Sequence, residues 1–148
     1  LTKLPEPNKK PISLKQLFEQ QKAFFSQFDI QCTHCPDINI YADAEQLAQV
    51  FINLFKNAEQ AIHHQNPQVK VHWFTENQFL TIEIQDNGQG IQNTDNLFVP
   101  FYTTKQDGSG IGLVLSRQMM FNHGGDLTLT NAADNKGAIA TLLLPILN

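Results

Sequence analysis

The chain has 148 residues, a hydrophobic fraction of 41%, a formal net charge of −4 and a pI near 5.6. This length fits one domain of ordinary size that can bury a core. The acidic balance argues against an electrostatic nucleic-acid binder, and no apolar run reaches the ~20 residues that a membrane span needs. We therefore expect a globular domain that contacts neither nucleic acid nor membrane.

The N-terminal stretch is rich in proline and lysine and poor in core-forming residues. We interpret residues 1–11 as a connector from an absent upstream element and residues 12–148 as the domain. The chain opens on Leu1 rather than Met, so we expect it to be part of a longer protein. Ser13 is the predicted N-cap of a helix running to about Phe28, and two short strands are predicted near 30–35 and 38–42.

Further elements follow from apolar spacing and turn residues. Asp43 is predicted to cap a helix over 44–63, followed by strands near 69–74 and 80–85. A third helix over about 111–122 is predicted to end at Gly124-Gly125, before a hairpin of 126–130 and 138–144. These elements predict an α+β fold: a two-layer sandwich whose mixed, mainly antiparallel sheet of about five strands is covered on one face by three helices.

The two cysteines, Cys32 and Cys35, are spaced C-x-x-C. A structural zinc site needs four ligands, and no second cysteine pair and no two histidines separated by three to five residues follow. We therefore expect reduced structural cysteines, in keeping with a cytoplasmic location, rather than metal or redox chemistry.

Asp86 ends a strand whose period-two pattern puts it on the same face as Ile82 and Ile84. A carboxylate on the core face needs donors, and Gly88 and Gly90 let the backbone approach a ligand closely. This arrangement suits a planar ligand with an amino group, such as adenine, although Asp-Asn-Gly can equally be a simple turn.

Asn53 and Asn57 lie one turn apart on the second predicted helix. Their neutral oxygens suit Mg²⁺ whose charge is met mainly by phosphates, or else they form a solvated flank. Residues 108–112, Gly-Ser-Gly-Ile-Gly, open the third helix and form either an anion site or a flexible hinge. Lys105 either reaches phosphate or remains solvated.

Taken in order, these segments resemble the catalytic ATP-binding domain of sensor histidine kinases, within the wider GHKL ATPase group. Residues 49–58 look like the N box, 86–91 like the first glycine box, 98–105 like the F box and 108–113 like the second glycine box. His123-Gly124-Gly125 also matches. The Thr-Thr-Lys ending of the F box is similar to the nitrogen-regulation subgroup, and the implied fold is of the Bergerat type.

The resemblance implies ATP and Mg²⁺ as cofactors and assigns roles by position. Asp86 would accept the adenine amino group, Asn57 would bind Mg²⁺, and Asn53 would support the metal or phosphates as the second catalytic residue. The ATP lid would span about 88–110, with Phe98 and Phe101 as anchors. The remaining nucleotide-contacting positions implied are Lys56, Gly88, Gly90, Ile91, Phe98, Thr104, Lys105, Gly108, Ser109, Gly110, Ile111, Gly112 and Leu113.

Hydrolysing members of the group place a glutamate, a general base for water, where this chain has Asn53. We therefore expect phosphoryl transfer to a protein side chain rather than hydrolysis. None of the histidines, His123 included, lies in a phosphoacceptor motif. The acceptor is expected on a separate dimerisation domain, with a response regulator as indirect partner and a parent protein that can be anchored in the inner membrane. The alternatives are a GHKL serine or protein kinase, and a module that senses nucleotide without transferring phosphate.

Overall fold

The computed structural model describes residues 4–63, 66–92, 96–99, 111–133 and 136–146. The helices of this part of the chain are α1 (Leu14–Lys22), α2 (Ala44–Ala61) and α3 (Gly112–Asn122). Its strands are β1 (Lys10–Ser13), β2 (Asp29–His34), β3 (Asn39–Ala42), β4 (Gln68–Glu76), β5 (Phe79–Asp86), β6 (Asp126–Asn131) and β7 (Ala138–Pro145).

Five strands form one sheet in the order β2-β4-β5-β7-β6. The β2–β4 pair is parallel and the other three pairs are antiparallel, so the sheet is mixed and mainly antiparallel. The predicted α+β sandwich with five strands and three helices is confirmed. None of the helices in the described ranges is long and apolar enough to cross a membrane.

The predicted start of each of the first two helices is confirmed by its capping bond. The Ser13 hydroxyl accepts a hydrogen bond from the Gln16 N–H, and the Asp43 carboxylate accepts one from the Gln46 N–H. The α1 helix ends at Lys22 rather than near Phe28. The chain leaves it through bonds three residues apart, from the Phe24 N–H to the Gln21 carbonyl and from the Phe25 N–H to the Lys22 carbonyl. Apolar spacing alone could not locate this turn.

The first strand was not predicted. Residues 10 and 11, assigned above to the connector, belong to β1, which pairs antiparallel with β3 in a separate two-stranded sheet. Further upstream, the Asn8 N–H donates to the Asp43 carboxylate at 2.8 Å. Regular structure therefore begins before residue 12. The prediction missed this strand because a stretch rich in proline and lysine can still pair as a short edge strand.

The core lies between the sheet and the inner faces of α1 and α2. Phe18 of α1 packs edge to face against Phe51, Phe55 and Trp73, with ring centroids 5.5–6.2 Å apart. All four of these side chains are fully buried. The residues of β5 alternate between buried and partly exposed, ending at a buried Asp86. The sheet thus delivers this carboxylate to the edge of the core.

The structure joins Cys32 and Cys35 in a disulfide. The expectation of reduced thiols is therefore wrong for this structure. The cause is geometric: β2 ends at His34 and the chain turns at once toward β3, which brings the two Cα atoms to 6.0 Å. This separation lies within the range that a disulfide spans.

Candidate active site

Asp86 is the last residue of β5, and its side chain is 8% exposed. Its Oδ1 atom accepts hydrogen bonds from the Gly88 N–H at 2.9 Å and from the Ala138 N–H at 3.2 Å. Two backbone donors on different segments therefore fix the orientation of the carboxylate and offset its loss of hydration. The strand phase had predicted that Asp86 faces the core, and it does.

The loop after Asp86 lies against the C-terminal end of α2. A Cβ atom at Gly88 would collide with the carbonyl oxygen of Ala61, and the Gln89 N–H donates to that same oxygen at 3.1 Å. Only a glycine allows this approach without moving the backbone. The loop is thereby held beside the last turn of α2.

Gly90 turns the loop with a φ of +82°. A clamp that sequence reasoning missed holds the next residue: the Asn131 amide accepts from the Ile91 N–H at 2.7 Å and donates to the Ile91 carbonyl at 3.1 Å. The only sequence signal for this contact was an asparagine at the end of a strand, ahead of a turn, and that pattern does not specify a contact with Ile91. Asn131 of β6 thus fixes the base of the segment that was predicted to form the lid.

One face of α2 connects the predicted site segments. Asn53, Asn57 and Ala61 are spaced four residues apart, so they lie along one face over about 12 Å of helix axis. Asn53 contacts α3, and Ala61 contacts the loop that follows Asp86. Asn57 lies between these two contacts on the same helix face.

The two asparagines differ in their partners. The Asn53 amide donates to the Ser116 hydroxyl at 2.9 Å and to the Gly112 carbonyl at 3.4 Å, and its oxygen accepts from Gln49 at 2.8 Å. No hydrogen bond links the Asn57 side chain to another residue of the described ranges, and that side chain is half-buried. Asn53 thus ties α2 to α3, whereas Asn57 has no hydrogen-bond partner within the described ranges.

Sequence reasoning also missed Ser116, the fully buried partner of Asn53. Its position one turn after Gly112 was a weak signal, since residues four apart share a helix face. The first turn of α3 begins after Ile111, whose apolar side chain cannot accept a hydrogen bond from the helix N–H groups. These N–H groups, beside Asn53, are the kind of donors that bind anions. Leu113, in the same turn, packs against the core.

Phe98 is half-buried and packs against the core. The guanidinium of Arg117 lies 4.3 Å from the centroid of the Phe98 ring and 5.1 Å from that of Phe121. Arg117 also forms an ion pair with Asp126 at 3.2 Å. This cation–π contact, which the sequence analysis did not foresee, connects Phe98 to α3.

Among the predicted site residues outside α2, Gly88 lies against Ala61 and Gly112 lies beside Asn53. Lys56 is exposed on the same helix. Six of the predicted positions lie outside the described residues: Phe101, Thr104, Lys105, Gly108, Ser109 and Gly110.

His123 has a structural role. It is 4% exposed; its Nε2 accepts from the Asp43 N–H at 3.0 Å, and its Nδ1 lies 2.8 Å from the Met119 carbonyl oxygen. The Nδ1–H tautomer satisfies both contacts. The ring thus joins the start of α2 to the end of α3, so neither ring nitrogen is available to accept a phosphoryl group.

Asp43, whose N–H donates to His123, has a carboxylate with a lowered pKa. Burial, the largest single effect, raises its pKa, but the N–H groups of Asn8, Gln46 and Glu45 together bring the pKa of Asp43 below its ordinary value. The charged form of this N-cap is therefore favoured in the folded domain.

Several known proteins are similar in sequence to this chain. The sensor histidine kinase ZraS of Escherichia coli (strain K12) is 36% identical over 109 residues, covering 72% of this chain and 23% of ZraS. The chain spans about a quarter of the length of the curated relatives it matches.

Two solved structures share the fold. Full-length ShkA in complex with AMPPNP superposes with a TM-score of 0.83 at 21% identity, covering 97% of this chain and 32% of ShkA. Histidine kinase ThkA in complex with the response regulator protein TrrA gives 0.79 at 21% identity, covering 95% and 42%.

The model of one protein family, described as histidine kinase-, DNA gyrase B-, and HSP90-like ATPase, matches residues 42–148. This match contains α2, the Asp86 loop and α3, which are the elements that build the candidate site. The chain belongs to the histidine kinase-, DNA gyrase B- and HSP90-like ATPase family.

Proposed function

We propose that this chain is the Mg-ATP-binding catalytic domain of a sensor histidine kinase. It would transfer the γ-phosphoryl group of ATP to a histidine on a separate dimerisation domain. The observation that carries the proposal is the buried Asp86 carboxylate, oriented by two backbone N–H groups beside a loop that is held against α2.

Asp86 supplies the purine end of the site. An ionised carboxylate only accepts hydrogen bonds, so it selects a ligand that presents a donor. The exocyclic amino group of adenine is such a donor, whereas guanine presents a carbonyl oxygen at the equivalent ring position. Because the backbone bonds hold the carboxylate in place, it would face the guanine carbonyl oxygen rather than a donor, so guanine nucleotides should bind more weakly.

The other end of the site would hold phosphates and Mg²⁺. The uncapped N–H groups at the start of α3 offer donors to phosphate oxygens, and Lys56 adds a positive charge nearby along α2. Asn57, on the same face of α2 as Asn53, is the residue proposed to contact the metal. Lys105, Thr104 and residues 108–110 remain proposed contacts.

Mg²⁺ is proposed to arrive with the nucleotide. Within the ranges that the structure describes, no group of three or more His, Cys, Asp or Glu side chains can hold a metal ion. A neutral amide oxygen such as that of Asn57 suits Mg²⁺ whose remaining ligands are phosphates and water. When bound, the ion would neutralise the charge that develops during phosphoryl transfer.

The phosphoryl acceptor is proposed to lie outside this chain. His123 is buried with both ring nitrogens engaged, and the Nε2 atom of His72 lies 2.7 Å from the Glu83 carboxylate. In place of a general base, Asn53 is hydrogen-bonded to α3, so the site has no carboxylate there to activate water. A histidine supplied by the dimerisation domain would therefore be the nucleophile.

Names of similar proteins support the partner assignment. ZraS is named a sensor histidine kinase, and ThkA was solved with a response regulator. We accordingly propose a cognate response regulator as the indirect partner and a cytoplasmic location, where ATP is available. Membrane anchoring of the parent protein and the nitrogen-regulation subgroup remain predictions. No observation favours a serine kinase or a module that only senses nucleotide.

Nucleotide selectivity tests the proposal directly. Calorimetric titration with Mg-ATP and Mg-GTP should show binding of ATP only, and Asp86→Asn should weaken ATP binding by at least about tenfold, or 1.4 kcal/mol. Asp29→Asn, which changes an exposed carboxylate at the start of β2, is the matched control and should bind ATP normally. Equal affinity of the Asp86 variant and the unmodified chain would refute the adenine assignment.

Phosphoryl transfer needs a second experiment. The parent protein, incubated with γ-labelled ATP, should acquire an acid-labile, base-stable label on its dimerisation domain. Tight ATP binding without such a label would refute kinase activity while leaving the nucleotide site intact.

A further inference from the structure

We propose that Cys32 and Cys35 form a reversible dithiol–disulfide pair that locks or releases the connection between β2 and β3. The pair lies at the end of β2, which is an edge strand of the five-stranded sheet. Neither cysteine contributes to the nucleotide site described above. The Cα separation of 6.0 Å allows the disulfide, and Cys32 is exposed while Cys35 is half-buried.

The residues directly after Cys35 are docked on the domain by three successive hydrogen bonds. The Pro36 carbonyl accepts from the Trp73 indole N–H at 2.9 Å. The Asp37 carboxylate accepts from the Ser13 hydroxyl at 3.2 Å, and the Ile38 carbonyl accepts from the Leu14 N–H at 3.0 Å. The disulfide therefore ties the exposed end of an edge strand to a segment that contacts both α1 and the core tryptophan.

Exposure decides which sulfur reacts first. A small-molecule disulfide such as oxidised glutathione can reach Cys32 from solvent, so the Cys32 thiolate attacks it, forming a mixed disulfide and releasing one glutathione thiol. The Cys35 thiolate then attacks the Cys32 sulfur, closing the protein disulfide and releasing the second thiol. Two protein thiols are oxidised and one glutathione disulfide is reduced to two thiols, so electrons and protons balance. A reducing compartment reverses the same steps.

The two redox states should differ locally. Reduction removes the cross-link and returns conformational freedom to residues 32–38, which weakens the bond between Pro36 and Trp73. Trp73 is the only tryptophan of the chain and is fully buried. Its fluorescence therefore reports the state of the loop, with no competing signal from another tryptophan.

Mass spectrometry after equilibration in mixtures of reduced and oxidised glutathione tests the chemistry. With a thiol-blocking reagent, the chain should pass from two blocked cysteines to none across the series, without a stable glutathione adduct. Cys32→Ser and Cys35→Ser chains, which cannot close the bond, should retain one glutathione each under oxidising conditions. Two blocked thiols throughout the series, a stable adduct on the unmodified chain or a covalent dimer would each overturn the proposal.

Fluorescence and thermal unfolding test the structural consequence in the same samples. The oxidised chain should unfold about 2–5 °C higher than the reduced chain and should differ from it in Trp73 emission. The double variant C32S/C35S should match the reduced chain and should not respond to glutathione. Identical emission and midpoint in the two redox states would show that the disulfide does not control the docked segment, even if it forms.

Discussion

Asn53 and Asn57 are a matched pair: one residue type on one face of α2, one turn apart, with different partners. Asn53→Ala removes a 2.9 Å hydrogen bond to Ser116, whose hydroxyl is fully buried, and a 2.8 Å bond from Gln49. Water can replace Asn53 for Gln49, but it cannot easily reach Ser116. Loss of a net hydrogen bond and desolvation of an unpaired hydroxyl together cost about 1–3 kcal/mol.

Asn57→Ala breaks no hydrogen bond within the described residues. Both substitutions gain the same helix propensity, about 0.6 kcal/mol for alanine over asparagine, so this gain cancels when the variants are compared. The free energy of unfolding of Asn53→Ala should therefore lie about 1–3 kcal/mol below that of Asn57→Ala. Magnesium dependence should show the opposite order, with Asn57→Ala losing at least about tenfold in Mg-ATP affinity.

Urea unfolding followed by Trp73 fluorescence measures the first quantity, and calorimetric titration of ATP with Mg²⁺ or with a chelator measures the second. Without Mg²⁺, the unmodified chain and Asn57→Ala should bind ATP equally. Equal stability of the two variants would contradict the assignment of Asn53 to the contact with α3. Unchanged Mg²⁺ dependence in Asn57→Ala would contradict the metal assignment.

Three further predictions concern contacts around the site. Asn131→Ala removes both hydrogen bonds to the Ile91 backbone. ATP affinity measured by calorimetry should therefore fall several-fold, while the free energy of unfolding should change by less than about 1 kcal/mol. A loss of stability without a loss of affinity would argue against the clamp. His123→Ala leaves the Asp43 N–H without its acceptor and creates a cavity. The free energy of unfolding measured in urea should therefore fall by about 2–4 kcal/mol. An unchanged unfolding midpoint would contradict the role of His123 in joining α2 to α3. The pKa of Asp43 is lowered on folding, so the charged carboxylate stabilises the domain at pH values above the unfolded pKa of about 3.9. This stabilisation is lost as the pH falls through the pKa of Asp43 in the folded domain. Asp43→Asn retains the cap without the charge, so the stability gap between it and the unmodified chain should shrink below about pH 4; a gap constant from pH 2 to 7 would refute the assignment.

Several features were predictable from sequence because they depend on local rules. Asp43 is an N-cap by residue type and by its position before an apolar periodic segment, and it caps α2. Asp86 was placed on the core face by strand alternation, and it is buried there. The pairing of β1 with β3 was not predictable, because a four-residue strand has no periodicity strong enough to mark it.

The candidate site shows the same division. Gly88, Gly90 and a strand-ending aspartate predicted a purine-binding end, and the family resemblance predicted Asn57 as the metal ligand with Asn53 supporting the metal or phosphates. Packing separates them, since α3 contacts α2 at Asn53, whereas Asn57 has no hydrogen-bond partner among the described residues. The Asn131 clamp on Ile91 joins residues 40 positions apart, and no spacing rule connects such a pair.

The sequence by itself predicted the class of fold, because apolar periodicity and caps act within a few residues of one another, and the ordered motifs carried the resemblance to the family. Only the tertiary structure decided which polar side chains form hydrogen bonds with other elements. The buried hydroxyl of Ser116 and the ring of His123 acquire partners on other elements, and the hydrogen bonds that they form exist only after α2, α3 and the sheet have packed together.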